Sequence, residues 1–260
     1  MTSPTKQASR LSPIQAGQSA ENFHSTELRI LCTGDGSRTL HSSYYGQTYH
    51  SMHGAEHEAL HVFLEGTNIA KTLAQQQRAS VLEVGFGVGL NFLLTATAAE
   101  RHGATLHYTG LDRCIPDADT LAALDHGSVA GSCAVAEFLI AWRRHYGPDL
   151  PEGHYSLCLE NDGLLELVIG EATQVLLPEK RYDAIYLDPF DPRRNPELWT
   201  LAFFRLLFAA TKPGGVLATY SAAGAVRRGL IAAGFIVERC PGPPGKREYL
   251  TAQKPQVAGS

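Results

Sequence analysis

Val81-Leu82-Glu83-Val84 runs directly into Gly85-Phe86-Gly87-Val88-Gly89-Leu90-Asn91, and then into an apolar stretch that lasts to Ala99. A short buried strand that ends in a glycine turn and opens a helix is the first unit of a Rossmann-like nucleotide site. Few local patterns restrict a fold more, because a parallel strand of this kind needs further strands beside it and helices over both faces. The chain supplies them. Strand-like runs at 106–111, 155–159, 164–169, 182–187, 216–220, 235–240 and 247–251 alternate with helical stretches at 115–146, 198–210 and 224–233. Asp117 or Asp119 is the expected N-cap of the first of these, and Gly234 the stop of the last. Residues 155–159 and 164–169 flank Asp162-Gly163, which predicts an inserted hairpin.

The glycine spacing is Gly-x-Gly-x-Gly rather than Gly-x-Gly-x-x-Gly. With Glu83 at the strand end, this shorter form suits S-adenosylmethionine better than a dinucleotide. Glycines let the backbone approach the ligand where side chains would collide. A turn that only packs a helix onto a strand is the plainer reading of the same residues. Asp112 ends the next strand, roughly 20 residues beyond the loop, where an acid can accept from a ribose hydroxyl pair; a simple strand-end cap is its alternative. Glu171, after the hairpin, reads by itself as a charge at a helix N-terminus.

A second stretch places the chemistry. Residues 184–187 form an apolar strand that stops at Asp188, and Pro189, Pro192 and Pro196 then forbid regular structure. An acid at the carboxyl end of a buried parallel strand, followed by a stiff loop, lies where open α/β sheets bind ligands.

The 260 residues, 44% of them hydrophobic, can bury one large core or a core plus a small lobe. The net charge of −4 excludes a surface coated in positive charge but leaves room for a local basic patch. Five scattered cysteines without a Cys-x-x-Cys pair predict reduced, mostly buried thiols rather than a disulfide framework or zinc site. No apolar run approaches the ~20 residues of a membrane span, and the N-terminus lacks a signal-peptide core. A soluble, cytoplasmic protein with no membrane partner is expected. His53, His57 and His61 recur at i, i+4 and i+8, which predicts one helix face. The outer two would lie roughly 12 Å apart along the axis, and no cysteine or carboxylate completes a tetrahedral set, so no metal is expected. Residues 28–40 resemble a hairpin around Gly34-Asp35-Gly36-Ser37. The aromatic segment 43–51 and a helical stretch from Gly54 to His61 are placed to wall one side of a site. The expected division is a disordered tail at 1–23, an accessory region at 24–75, the main domain at 76–253 and a disposable tail at 254–260.

Four stretches carry a more specific signal. They are Glu83-Val-Gly-Phe-Gly-Val-Gly-Leu-Asn-Phe-Leu93, the segment 187–200, Tyr220-Ser-Ala-Ala-Gly-Ala-Val-Arg-Arg-Gly-Leu230 and Gly245-Lys-Arg-Glu248. Through them, residues 40–252 resemble the methyltransferase domain of the MnmC family, bifunctional tRNA wobble-uridine enzymes, and its stand-alone relatives. The resemblance implies a Rossmann-like class I S-adenosylmethionine-dependent methyltransferase fold: a mostly parallel seven-stranded sheet with a small N-terminal extension and the inserted hairpin. It implies N-methylation of the 5-aminomethyl group of a wobble uridine, usually 2-thiolated, in the tRNA anticodon stem-loop. It assigns Asp188 to catalysis and Glu83, Gly85, Phe86, Gly87, Gly89, Asn91, Asp112 and Glu171 to the cofactor. Tyr49, Phe190 and Trp199 are the expected stacking groups, and Asn195, Arg193, Arg194, Arg227, Arg228, Lys246 and Arg247 the expected polar contacts to RNA. Pro189 and Asp191 stand where the family commonly has Gly and Ala. No FAD is expected, since the chain ends just after its last strand, and a separate enzyme supplying the aminomethyl precursor is implied. Another class I transferase acting on a small amine or protein, or a non-catalytic RNA-binding module, are the alternatives at this point.

Overall fold

Strand β4 (Ala79–Val84) is buried along its whole length, and it is the strand around which a computed structural model arranges the rest of the chain. The structure describes residues 28–75 and 77–256; the expected tail at 1–23, and residues 257–260 of the tail expected at 254–260, lie outside them. β4 pairs in parallel with β5 (Leu106–Asp112) on one side and β8 (Tyr182–Leu187) on the other. β7 (Leu164–Ile169) extends the sheet beyond β5, and β9 (Thr211–Thr219) extends it beyond β8, both in parallel. β6 (Gly153–Cys158) adds antiparallel to β7. β11 (Glu248–Gln253) and β10 (Ile236–Pro241) complete the other edge as an antiparallel pair. The order is β10-β11-β9-β8-β4-β5-β7-β6. That makes eight strands rather than seven, the hairpin's first strand being the additional edge member.

Period-two alternation divides the sheet between two cores. Val81, Tyr108, Ala184 and Tyr186 face a layer containing α3 (Leu90–His102) and α6 (Cys133–His145). Leu82, Val84, Ile185 and Leu187 face α7 (Leu201–Ala210) and α8 (Gly224–Ala233). The first layer also takes in Val62, Phe63, Leu64, Ile69 and Leu73, so the N-terminal region shares its core with the sheet. In that region β1 (Leu28–Cys32), β2 (Arg38–Ser42) and β3 (Gln47–Thr48) form a small antiparallel sheet.

Several expectations are corrected. The single helix at 115–146 is three, Ala118–Leu124, His126–Ala130 and Cys133–His145, because Asp125 and Gly131 adopt left-handed backbone. Asp117 caps the first, accepting from the backbone N–H of Asp119 and Thr120 at 3.0 and 2.8 Å. The stretch from Gly54 to His61 is α1 (Ala55–Glu58) followed by a seven-residue π-helix, Ala59–Glu65. His53 precedes α1, His57 lies in it and His61 lies in the π-helix, so they do not share one α-helical face. Four of the five cysteines are exposed and the fifth half-buried, contrary to the expected burial; all are free thiols. Lys254, assigned to the tail, is buried and donates to the carbonyls of Phe208 and Thr211 at 2.7 and 2.9 Å. A lysine there satisfies carbonyls that the end of α7 leaves open.

The strand order reverses at β4. The chain steps outward through β5 to β7, then returns to lay β8 on the other side of β4. Open sheets bind ligands at the carboxyl ends of the strands beside such a reversal. Here those ends carry Glu83, the glycine loop, Asp112 and Asp188.

Candidate active site

A cavity of about 470 Å³ opens over these strand ends, within the usual range for a small-molecule site. Its floor is built from β4, β5 and the start of α3. Gly85 lies beside Asp188 so closely that an added Cβ would come within 2.6 Å of the Asp188 carbonyl oxygen, and its φ of +90° suits glycine in any case. Gly89 serves differently from the loop role expected of it. It is the left-handed N-cap of α3, packed against Phe86 and Leu139, and it does not line the cavity.

Glu83 is 1% exposed. Its carboxylate accepts from the Tyr108 hydroxyl at 2.7 Å and from Asn91 Nδ2 at 2.7 Å. The same Asn91 nitrogen donates to Asp188 Oδ2 at 2.9 Å. One amide therefore spends both of its N–H groups on two acids. Asn91 Oδ1 is left buried without a partner. Burial pushes the Glu83 carboxyl well above the usual range, and the neighbouring Asp188 charge adds to this against the hydrogen bond from Tyr108. Burial also raises Asp188, helped by the charge of Glu58 and opposed by Asn91 and Lys246. Two acids joined through one amide are costly to ionise together, so this pair retains proton affinity that free carboxylates lack.

At the other end of the floor, Asp112 Oδ2 accepts from the Gly87 N–H at 2.6 Å, and Oδ1 from the Cys114 N–H at 3.1 Å. Burial raises its carboxyl against those backbone bonds. Glu171 pairs with Arg113 at 2.7 Å and lines the rim, with the 3₁₀ turn Ala172–Gln174 after it.

The roof comes from the N-terminal sheet and the proline-rich loop after β8. Tyr45 stacks on Phe190 at 4.2 Å with 24° between the rings, and Tyr49 meets Phe190 edge-on at 5.2 Å. The Asp191 N–H donates to Gln47 Oε1 at 3.3 Å, tying the two segments together. Asn195 is buried in the lining. The far wall is Glu58, Lys246 and Tyr220.

The structure moves other expected contacts away from the cavity. Trp199 does not line it; its indole N–H donates to the Phe190 carbonyl at 3.0 Å and holds the loop. Arg193, Arg194, Arg228 and Arg247 are exposed and Arg227 half-buried, all outside the lining. Lys246 points inward and pairs with Glu58, so it is not the outward phosphate contact its sequence position suggested. Asp191, which stands where the family commonly has Ala, accepts from Arg193 N and Nε at 2.9 Å each and shapes the turn. Glu58, Tyr45, Tyr108 and Tyr220 went unnoticed as site residues. Tyr45 and Tyr220 sit in stretches already singled out, but Glu58 had no signal beyond its place in a helical stretch. Among the described residues no cluster of His, Cys, Asp or Glu could hold a metal, and no helix is long and apolar enough to cross a membrane.

Residues 136–255 match a family model described as an S-adenosyl-L-methionine-dependent methyltransferase. Over 230 residues, 86% of this chain, the sequence is 35% identical to the "tRNA 5-methylaminomethyl-2-thiouridine biosynthesis bifunctional protein MnmC" of Cupriavidus metallidurans, of which it covers 33%. The protein of the same name from Azoarcus sp. is 36% identical over 82% of this chain and 33% of its own length. The chain is homologous to the methyltransferase part of MnmC. It spans about a third of the length of these curated relatives. Among solved structures, MnmC2 from Aquifex aeolicus superposes with a TM-score of 0.68 at 24% identity, covering 92% of this chain and 75% of that one. Spermidine synthase from Thermotoga maritima superposes at 0.54 with 16% identity, covering 94% and 73%. Those likenesses bear on the fold, which is the α/β methyltransferase fold.

Proposed function

We propose that this chain is an S-adenosylmethionine-dependent methyltransferase that converts the 5-aminomethyl group of a wobble (2-thio)uridine in cytoplasmic tRNA to 5-methylaminomethyl. The observation that carries the reading is the position of Asp188: it closes the glycine-loop cavity from β8, backed by Asn91 and Glu83, in a chain homologous to the methyltransferase part of MnmC.

The residues fit the cofactor by chemistry. Its cationic sulfonium and amino group suit a cavity whose floor and rim bear Glu83, Asp112 and Glu171, and at Gly85 and Gly87 no Cβ intrudes on the lining. In this reading Glu83, Gly85, Phe86, Gly87 and Asn91 hold the methionine end, and Asp112 and Glu171 the nucleoside end. When bound, S-adenosylmethionine supplies an electrophilic methyl on a cationic sulfur whose charge lowers the pKa of an amine beside it.

The chain's own task is alignment and proton management. A primary alkyl amine has a pKa of about 10.4 and reaches the site protonated. Asp188 accepts a hydrogen bond from the ammonium and fixes its direction. A carboxylate with ordinary acidity would only favour the charged amine. A buried one, pushed upward and backed by Glu83, can also take the proton, so positioning comes first and base action second. Tyr45, Tyr49 and Phe190 are the aromatic surfaces for a flipped base, with Asn195 at their edge. Arg193, Arg194, Arg227, Arg228 and Arg247 are assigned to the stem-loop backbone, and a separate activity supplies the aminomethyl group.

Incubation with S-adenosylmethionine and tRNA bearing 5-aminomethyl-2-thiouridine, followed by mass spectrometry of nucleosides, tests this. Conversion of that nucleoside to its methylaminomethyl form is expected. Transfer to small amines or protein but not to tRNA would sink the tRNA assignment.

A further inference from the structure

The far wall of the cavity contains an ammonium site that the chain itself fills. Lys246 Nζ pairs with Glu58 Oε1 and lies 4.4 Å above the Tyr220 ring. Glu58 is only 9% exposed, and its second oxygen accepts from the Ser51 N–H at 3.0 Å. The Tyr220 hydroxyl donates to the Pro189 carbonyl at 2.8 Å, which sets the ring beside the residue that follows Asp188. A carboxylate below, an aromatic face at the side and a second carboxylate on the adjoining wall make a cage suited to a compact alkyl cation. Asp188, Glu58, Lys246 and Tyr220 all line the one cavity. Glu58 is also the last residue of α1, where the backbone widens into the π-helix Ala59–Glu65. Such widening is uncommon and recurs at functional sites.

Lysine's head group and a 5-aminomethyl substituent are the same chemical species, a primary alkylammonium. We propose that Glu58 is a second carboxylate for the substrate's aminomethyl group, and that Lys246 holds the ammonium place until the substrate takes it. This rests on the aminomethyl-uridine reading and adds to it a binding residue and an exchange. Without a cation, a buried Glu58 would be costly to keep ionised. Lys246 removes that cost in the substrate-free protein. Its side chain is a quarter exposed, so the head reaches solvent by rotating about a flexible stem. The incoming ammonium then lies between Glu58 and Asp188, facing Tyr220. The exchange breaks one ion pair and makes another, with no change in covalent bonds. The proton lost before methylation still goes to Asp188.

Steady-state methylation of tRNA bearing 5-aminomethyluridine, comparing the full-length wild type with E58Q and K246M, tests the exchange. E58Q is expected to raise KM by about 10-fold while kcat falls less than about 3-fold, the loss of one charge-assisted contact to the ground-state amine. K246M is expected to lower KM by about 3-fold, because it removes the internal competitor. A merely structural ion pair behaves otherwise, since deleting either partner harms binding alike. S-adenosylmethionine affinity by calorimetry is the folding control. If E58Q fails it, E58D takes its place, with the same KM-dominated split at smaller size. An unchanged KM in the Glu58 variants, or a rise in both Glu58 and Lys246 variants, overturns the exchange while leaving the tRNA reading intact. A wild type that transfers no methyl to this tRNA overturns the reading on which it rests.

Discussion

The floor and the upper walls of the cavity are built by different means. The floor is short-range work: β4 runs into the glycine loop and α3 within a dozen residues, and Asn91 reaches back eight positions to Glu83. The walls are long-range: Gln47 meets Asp191 across 144 positions, and Glu58 meets Lys246 across 188. The floor is backed by buried strands and has little freedom. The walls are held by ring stacking and single polar contacts between loops and a small accessory sheet. In the proposed function, a site divided in this way keeps one half constant for the cofactor and lets the other half define what is methylated.

Substitutions can break that division, beginning where the halves meet. Asp188→Asn keeps the shape and the bond from Asn91 but loses the charge and the proton acceptor; kcat should fall by about 10³-fold with cofactor affinity nearly unchanged. A fall in both together would place Asp188 wholly with the floor. Gly85→Ala strikes the floor from the glycine side. Its Cβ would press on the Asp188 carbonyl at 2.6 Å from a left-handed backbone, and cofactor affinity measured by calorimetry should drop about 100-fold. Tyr45→Ala or Phe190→Ala strikes the roof alone. Loss of one stacking surface should raise KM for tRNA about 10-fold and leave cofactor binding as it was.

Smaller effects sharpen the contrast. Glu83 and Asp188 are both raised on folding, chiefly by burial. The folded protein therefore binds more protons than the unfolded chain at pH values between the ordinary and the raised pKa. Their contribution to stability is complete below about pH 4, the unfolded carboxylate range, and is lost as pH climbs through the raised values. Glu83→Gln removes one of the two titrations, so Tm followed across that span should decline less steeply than in the wild type. Smallest of all, Ala at exposed Arg193, Arg194, Arg228 or Arg247 should weaken tRNA binding a few-fold each. Each should also shrink the slope of log affinity against log salt by about one. An arginine variant with a normal salt slope would remove that residue from the RNA-facing surface.

How much of this was legible beforehand follows the same division. The doubly wound sheet was readable because strand alternation, the glycine turn and the Asp117 cap are local patterns, each decided within a few residues of chain. The breaks at Asp125 and Gly131 were missed because either residue is tolerated inside a helical pattern, and only packing shows the left-handed turn. The place of Trp199 outside the cavity lining was not legible, because only the fold shows its indole N–H turned to the Phe190 carbonyl. Lys246 was misread for a similar reason, since a basic residue in a glycine- and proline-rich loop resembles a surface contact wherever its head goes.

By itself, then, the sequence determined the sheet, the glycine floor and the acid at the end of β8, because those depend on backbone geometry between near neighbours. Tertiary structure alone decided that Glu58 faces Lys246, that Tyr45 covers Phe190, and that one Asn91 amide serves two acids. Hydrogen bonds and close ion pairs act over a few ångströms, and which groups come that near is set only when distant segments pack together.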